Sequence, residues 1–229
     1  VTTVTEWLNT YDMVPQDLIQ GRDVFVIGGG PSLRNFDPKI LEGRDVIVTN
    51  EAFSMIPDAK VLVFVDIGWW QGRKQAVLDT FTGTIIGRGP YSTMYRADKI
   101  VNVAFRSGDY WSEDPRQLGG RNSGLAAINA AVLMGARRVF LLGFDMRSVG
   151  DRNNYHILHP TSVGRQQHRY LNIFLPEMVK ASKRIEALGH IVINCTPDSA
   201  LTCFPERTLE WVLRTYPRPR PSLKSNNSD

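Results

Sequence analysis

Three glycines in a row, Gly28, Gly29 and Gly30, follow the apolar run Val24 to Ile27 and precede Pro31 and Ser32. Glycine accepts positive φ and has no Cβ, so the backbone there can turn tightly and come close to a ligand. Pro31 carries the fixed φ of a first helical turn, where its missing N–H costs nothing. A strand, a glycine turn and a helix start make an anion-friendly seat, because unpaired N–H groups converge there. The plain alternative is a tight turn of any α/β domain. The segment is not a dinucleotide fingerprint: Leu33 stands where the third glycine of G-x-G-x-x-G belongs, and the next strand-like run ends in Asn50 rather than an acidic residue. The sequence holds no G-x-x-x-x-G-K-[ST] loop. Nicotinamide and Walker-type chemistry are both disfavoured.

Other groups with chemical potential are spread along the chain. Asn122-Ser123-Gly124 opens an alanine-rich segment and offers N–H groups, a hydroxyl and a helix dipole to an anion, or plain capping. Asp66 and Asp145 each follow an apolar run; a carboxylate so placed can hold a ribose, a sugar hydroxyl or a metal, or cap the next helix. His156, His159 and His168 share a polar stretch with Tyr155, Arg152, Arg165 and Arg169. A histidine there has the pKa range of a general base at neutral pH, and tyrosine and arginine suit a leaving phosphate. His156 and His159 have H-x-x-H spacing, but zinc needs a third ligand that the sequence does not supply, so no metal is expected. Cys195 lacks a catalytic partner pattern and reads as a core thiol. The pair Trp69-Trp70 suits either stacking on a base or sugar, or core packing.

These groups need a scaffold, and the hydrophobic pattern supplies one. Short β-branched runs at 24–27, 45–49, 60–65, 84–86, 99–103, 138–142 and 190–194 predict strands, and the near-continuous apolar run KVLVFV is that of a strand covered on both faces. Helices are expected at 51–56, 67–81, 121–135, 170–188 (with Pro176 starting or kinking it) and 206–215. Residues 105–120 read as a long loop, and 147–169 as a polar one. Alternation of strand and helix predicts an α/β fold: a single Rossmann-like domain over residues 1–216 with a mostly parallel, doubly wound sheet and a lid-like loop region. In that architecture ligands lie beyond the carboxyl ends of the strands. Gly28 to Gly30, Asn50, Asp66 and Asp145 all fall at such ends. Residues 217–229 are low in apolar content and are expected to be a disordered tail.

The totals fit one such domain. The chain has 229 residues, 42% hydrophobic and 22% charged, which is ordinary for a soluble globular protein. No apolar stretch approaches the roughly 20 residues that span a bilayer, and the first residues lack a signal-peptide layout. The two cysteines, Cys195 and Cys203, argue against a disulfide framework, so a cytoplasmic setting is expected. A net charge of +4 favours nucleotide, nucleic-acid or anionic-lipid contact only weakly. Oligomeric state is left open, a homo-oligomer included.

Together VFVIGGGPSLRNFD, VIVTNEAF, NSGLAAINAAVLMGARRVFLLGFDM and INCTPDSAL resemble the bacterial sialyltransferases that build lipooligosaccharide, and less specifically a group of hydroxymethylpterin pyrophosphokinases and phage-encoded Rossmann-like proteins. The resemblance spans roughly residues 24 to 210 through short motifs. It implies a metal-independent glycosyltransferase using a nucleotide-activated sugar, most like CMP-sialic acid, as co-substrate, with no tightly bound cofactor. By position it implies that Gly28, Gly29, Gly30 and Ser32 contact phosphate and ribose, and that Asn50, Asn122, Ser123 and Gly124 hold the donor. It also implies His168, with His159 in reserve, as the catalytic base, and Tyr155 steadying the phosphate. Asp66 and Asp145 complete the expected donor site. Gly29 stands where the sialyltransferases have the asparagine of G-N-G, and Asn122 replaces a hydroxyl residue. The acceptor would be a hydroxyl, on a glycan or, in a phage, on modified DNA. The alternatives are a pyrophosphokinase that needs Mg²⁺ and ATP and acts on a small alcohol such as a pterin, or a non-catalytic nucleotide-binding accessory protein.

Overall fold

The computed structural model describes residues 11–88, 99–105, 110–156 and 162–218. His159 and residues 219–229 of the expected tail lie outside them. Among the described residues eight strands form one all-parallel sheet: β1 (Asp23–Ile27), β2 (Asp45–Thr49), β3 (Val61–Phe64), β4 (Thr84–Arg88), β5 (Ile100–Phe105), β6 (Gln117–Leu118), β7 (Arg138–Leu142) and β8 (Ile191–Asn194). Their spatial order is β6-β5-β4-β3-β2-β1-β7-β8. The chain winds outward from β1 to β6, then returns to place β7 on the other side of β1, so the topological switch lies between β1 and β7.

The alternation along each strand explains the layering. Val24, Val26, Ile47, Val61, Val63, Val139 and Leu141 enter one buried cluster, while Phe25, Ile27, Val48, Leu62, Phe64, Phe140 and Leu142 enter another. A strand whose successive side chains point to opposite faces and are all apolar must be covered on both. The first face is covered by α2 (Ser123–Leu133) and α4 (Leu175–Ala187), whose Leu125, Ala126, Ala130, Met178, Ala181 and Ile185 join the first cluster. The second face takes α1 (Ile67–Thr80) and α5 (Leu209–Thr215) through Trp70, Val77 and Val212. At the amino end of the switch strands Arg138 donates to both oxygens of Asp23 at 2.8 Å and lies 3.8 Å from the Tyr216 ring centroid, tying β1, β7 and the residue after α5 together.

Three expectations change. The short helix expected over 51–56 is instead a single 3-10 turn, Asn50–Ser54. The loop expected over 105–120 contains β6, because Asn129 of α2, wholly buried, holds it: the Asn129 side-chain carbonyl accepts from the N–H of Ser112 (3.1 Å) and Gly119 (2.9 Å), and its amide donates to the Ser112 carbonyl (2.8 Å). Asn129→Ala is expected to lower unfolding free energy by about 3 kcal/mol in urea titrations, since three buried backbone groups lose their partner. Finally, the polar stretch ending at 169 includes a helix, α3 (Val163–Arg169), which passes through a π turn (Tyr170–Phe174) into α4. Pro176 sits in the first turn of α4, where its missing N–H is tolerated, so it starts the helix rather than kinking it.

Candidate active site

The carboxyl ends of β1, β2, β3 and β7 open into a cleft of about 560 Å³ at the switch point. Gly28, Gly29, Gly30, Asn50, Asp66, Asn122, Ser123, Gly124 and Asp145 all line it, so the structure brings together the strand-end groups that the sequence singles out.

The glycine turn is bound tightly to the turn after β7. The Gly28 N–H donates to the Leu142 carbonyl (2.7 Å) and the Gly30 N–H to the Gly143 carbonyl (2.9 Å). Asp145, only 3% exposed, accepts from the Ser32 N–H (2.9 Å) and hydroxyl (2.8 Å). A Cβ on Gly28 would lie 2.5 Å from the Gly143 carbonyl oxygen, and one on Gly30 would overlap the Asp145 carboxylate. Two of the three glycines are therefore required by close approach of two backbones. This corrects the expectation that all three N–H groups face a phosphate. Of the three, only the Gly29 N–H has no hydrogen-bond partner among the described residues. The turn after β7 is held in its place from behind: the Phe144 N–H donates to the Thr196 hydroxyl (2.9 Å) and the Ala200 N–H to the Asp145 carbonyl (2.9 Å). The INCTPDSA segment thus supports the site without lining it. Burial raises the Asp145 pKa, partly offset by the Ser32 hydrogen bonds.

The second wall is the start of α2. The Asn122 side-chain oxygen accepts from the Leu125 N–H (2.9 Å) as N-cap. The Ser123 hydroxyl donates to the Asn50 side-chain oxygen (2.9 Å) and accepts from the Val65 N–H (3.3 Å). Ser123 therefore acts on Asn50, leaving the Asn50 amide N–H₂ without a partner among the described residues. Asn50 has φ of +46°, a conformation asparagine tolerates better than most residues. Asp66 caps α1 by accepting from the Trp69 N–H (3.1 Å). Trp69 borders the cleft, half-buried, while Trp70 is fully buried and stacks on Phe64 at 4.6 Å.

The third wall comes from residues 154–174. Here the structure parts from the sequence. His168 is exposed on α3 and does not line the cleft. Tyr155 does not line it either: it packs into the second apolar cluster, and burial pushes its hydroxyl up to about 12. Its ring stands edge-on to His156 at 4.9 Å, and His156 is the histidine that borders the cleft among the described residues. Gln166, Arg169, Tyr170 and Phe174 complete the wall. Gln166, Tyr170 and Phe174, four residues apart, are buried and line the cleft, which marks the helix expected from 170 as beginning earlier. The cations sort clearly. Arg73 pairs with the buried Glu51 and Arg121 with Glu177, whereas Arg169 has no ion pair among the described residues. An anionic ligand would meet Arg169, the Gly29 N–H and the first turn of α2.

Neither cysteine belongs to the cleft lining. Burial pushes Cys195 up to about 12 and also raises Cys203. Because the unfolded thiol ionises first, Cys195 makes the folded state progressively less stable as pH rises above the ordinary thiol range towards 12. Native protein at pH 8 is expected to leave Cys195 unreacted with a thiol reagent, and Cys195→Ala to flatten the fall of stability between about pH 9 and 11.

These features define a doubly wound, all-parallel α/β fold with a cleft at its switch point. No protein-family model matches the sequence, and no curated protein matches it. Among solved structures, the chain is similar to the MAf glycosyltransferase from Magnetospirillum magneticum AMB-1, with a TM-score of 0.58 over 86% of this chain at 14% identity. The chain covers 35% of the length of that protein. At this identity the likeness establishes the Rossmann-like fold. No helix among the described residues is long and apolar enough to cross a membrane.

Proposed function

We propose that the protein is a glycosyltransferase that takes its sugar from a nucleotide-activated donor, of which a CMP-sugar is the first choice. The observation that carries this reading is the composition of the switch-point cleft: it is lined by Gly29, whose N–H has no partner among the described residues, by the opening turn of α2, by Arg169, which has no ion pair among them, and by His156. In this reading the donor phosphate lies against Gly29 and the N-terminus of α2, where N–H groups and the helix dipole oppose its charge. The acceptor hydroxyl oxygen attacks the anomeric carbon, the bond from that carbon to the phosphate oxygen breaks, and nucleoside monophosphate leaves with both electrons. His156 takes the hydroxyl proton. Arg169 and the α2 start stabilise the charge that develops on the leaving phosphate. A similar fold in a protein described as a glycosyltransferase, and the sequence motifs shared with sialyltransferases, support the same direction. The soluble donor and a hydroxyl-bearing acceptor are then the partners, with no tightly bound cofactor required.

The pyrophosphokinase alternative needs Mg²⁺ held by Asp66 or Asp145. Asp145 already receives two donors from Ser32, and Asp66 caps α1, which favours the transferase. The test is release of CMP from CMP-sialic acid, with and without a chelator, beside consumption of ATP with Mg²⁺. Metal-indifferent CMP release is expected; ATP consumption that requires Mg²⁺, with CMP-sialic acid untouched, would overturn the assignment.

A further inference from the structure

Three side-chain amides on the cleft each have a buried polar atom with no partner: the nitrogens of Asn122 and Asn154 and the oxygen of Gln166. Gln166 stands out, being 5% exposed on the inward side of α3. Its orientation is fixed by its neighbours. The Tyr170 hydroxyl donates to the Asn153 carbonyl (3.2 Å), so it must accept from Gln166, which turns the Gln166 N–H₂ towards Tyr170 and leaves the carbonyl oxygen as the orphan. Asn154 has its own oxygen near Gly29, 3.1 Å from where a Cβ would stand, and its nitrogen is the unsatisfied atom. Unmet buried groups are costly in native interiors, and those of Gln166 and Asn154 lie on one cleft, where a single ligand can meet both. That ligand needs a donor for Gln166 and an acceptor for Asn154. A hydroxyl provides both, and a phosphate provides no donor.

We infer that Gln166 and Asn154 form a sugar-reading pair, in which the Gln166 carbonyl accepts from a hydroxyl of the transferred sugar and the Asn154 amide donates to an oxygen of the same sugar. The inference rests on the transferase reading and adds which residues select the sugar as distinct from the nucleotide.

Calorimetric titration of wild type, Gln166→Met and Asn154→Ala with CMP and with CMP-sialic acid tests it. Methionine keeps the length of glutamine and removes the orphan carbonyl. Both variants are expected to bind CMP as wild type does and CMP-sialic acid about five- to tenfold more weakly. Gln166→Met also removes the donor to the Tyr170 hydroxyl and is expected to melt a few degrees below wild type, so the comparison of CMP with CMP-sialic acid, and not the melting temperature, tests the pair. Wild type that binds both probes, with variants unchanged towards CMP-sialic acid or weakened equally towards CMP, would overturn the sugar-reading pair alone. Wild type that binds neither would overturn it together with the transferase reading.

Discussion

Gly30→Ala is expected to be among the most destabilising single methyl additions in this chain. The new Cβ would meet the Asp145 carboxyl carbon at 2.6 Å and the Gly143 carbonyl oxygen at 2.7 Å, besides overlapping a carboxylate oxygen. None of these is the loose end of a flexible side chain. Asp145 is fixed by two hydrogen bonds from Ser32, and Gly143 by the N–H of Gly30 itself. Relief therefore requires β1 and β7 to part at the switch point. A cost of about 3 kcal/mol or more follows from overpacking of this kind, which is about 6–12 °C in melting temperature for a chain of this size. Gly29→Ala is the control, since its Cβ would meet only the Asn154 side-chain oxygen at 3.1 Å. It is expected to melt within a few degrees of wild type, a loss under about 1 kcal/mol, while crowding the one free N–H of the turn. Equal melting of the two variants would mean that the glycine turn is not locked to β7.

His156→Ala is expected to lower the rate of sugar transfer by about 10²- to 10⁴-fold, the usual worth of a positioned general base. CMP binding should persist, because His156 is assigned to the acceptor proton and not to the nucleotide phosphate. His168→Ala is expected to keep its rate, since that side chain is exposed on the outer side of α3. Steady-state transfer assays on the two variants decide between them. Loss confined to His168→Ala would restore the assignment that the sialyltransferase resemblance implies.

Much of the scaffold was legible because parallel strands buried on both faces read as apolar runs. DVFVI, DVIVT and RVFLL carry that pattern in five residues each, and the strand-end groups follow directly from it. The roles within the site were less legible. Composition shows that Gly28 to Gly30 must turn, but only the pairing of β1 with β7 shows that two of their N–H groups are taken by Leu142 and Gly143. Ser123 reads as a ligand contact, yet its hydroxyl holds Asn50 across a separation of 73 residues. His168 was misplaced because α3 is short and polar, with Gln166 as its buried residue, so its hydrophobic period is almost empty before Tyr170. Helical spacing puts His168 two positions from Gln166, and thus on a different side of the helix.

A crystal structure of the protein grown with CMP shows whether the switch-point cleft seats the phosphate of the proposed nucleotide-activated donor. The phosphate is expected at the Gly29 N–H and the first turn of α2, with the Asn50 amide within hydrogen-bond distance of the nucleotide. CMP bound elsewhere on the protein, or a cleft empty at saturating CMP, would contradict this expectation.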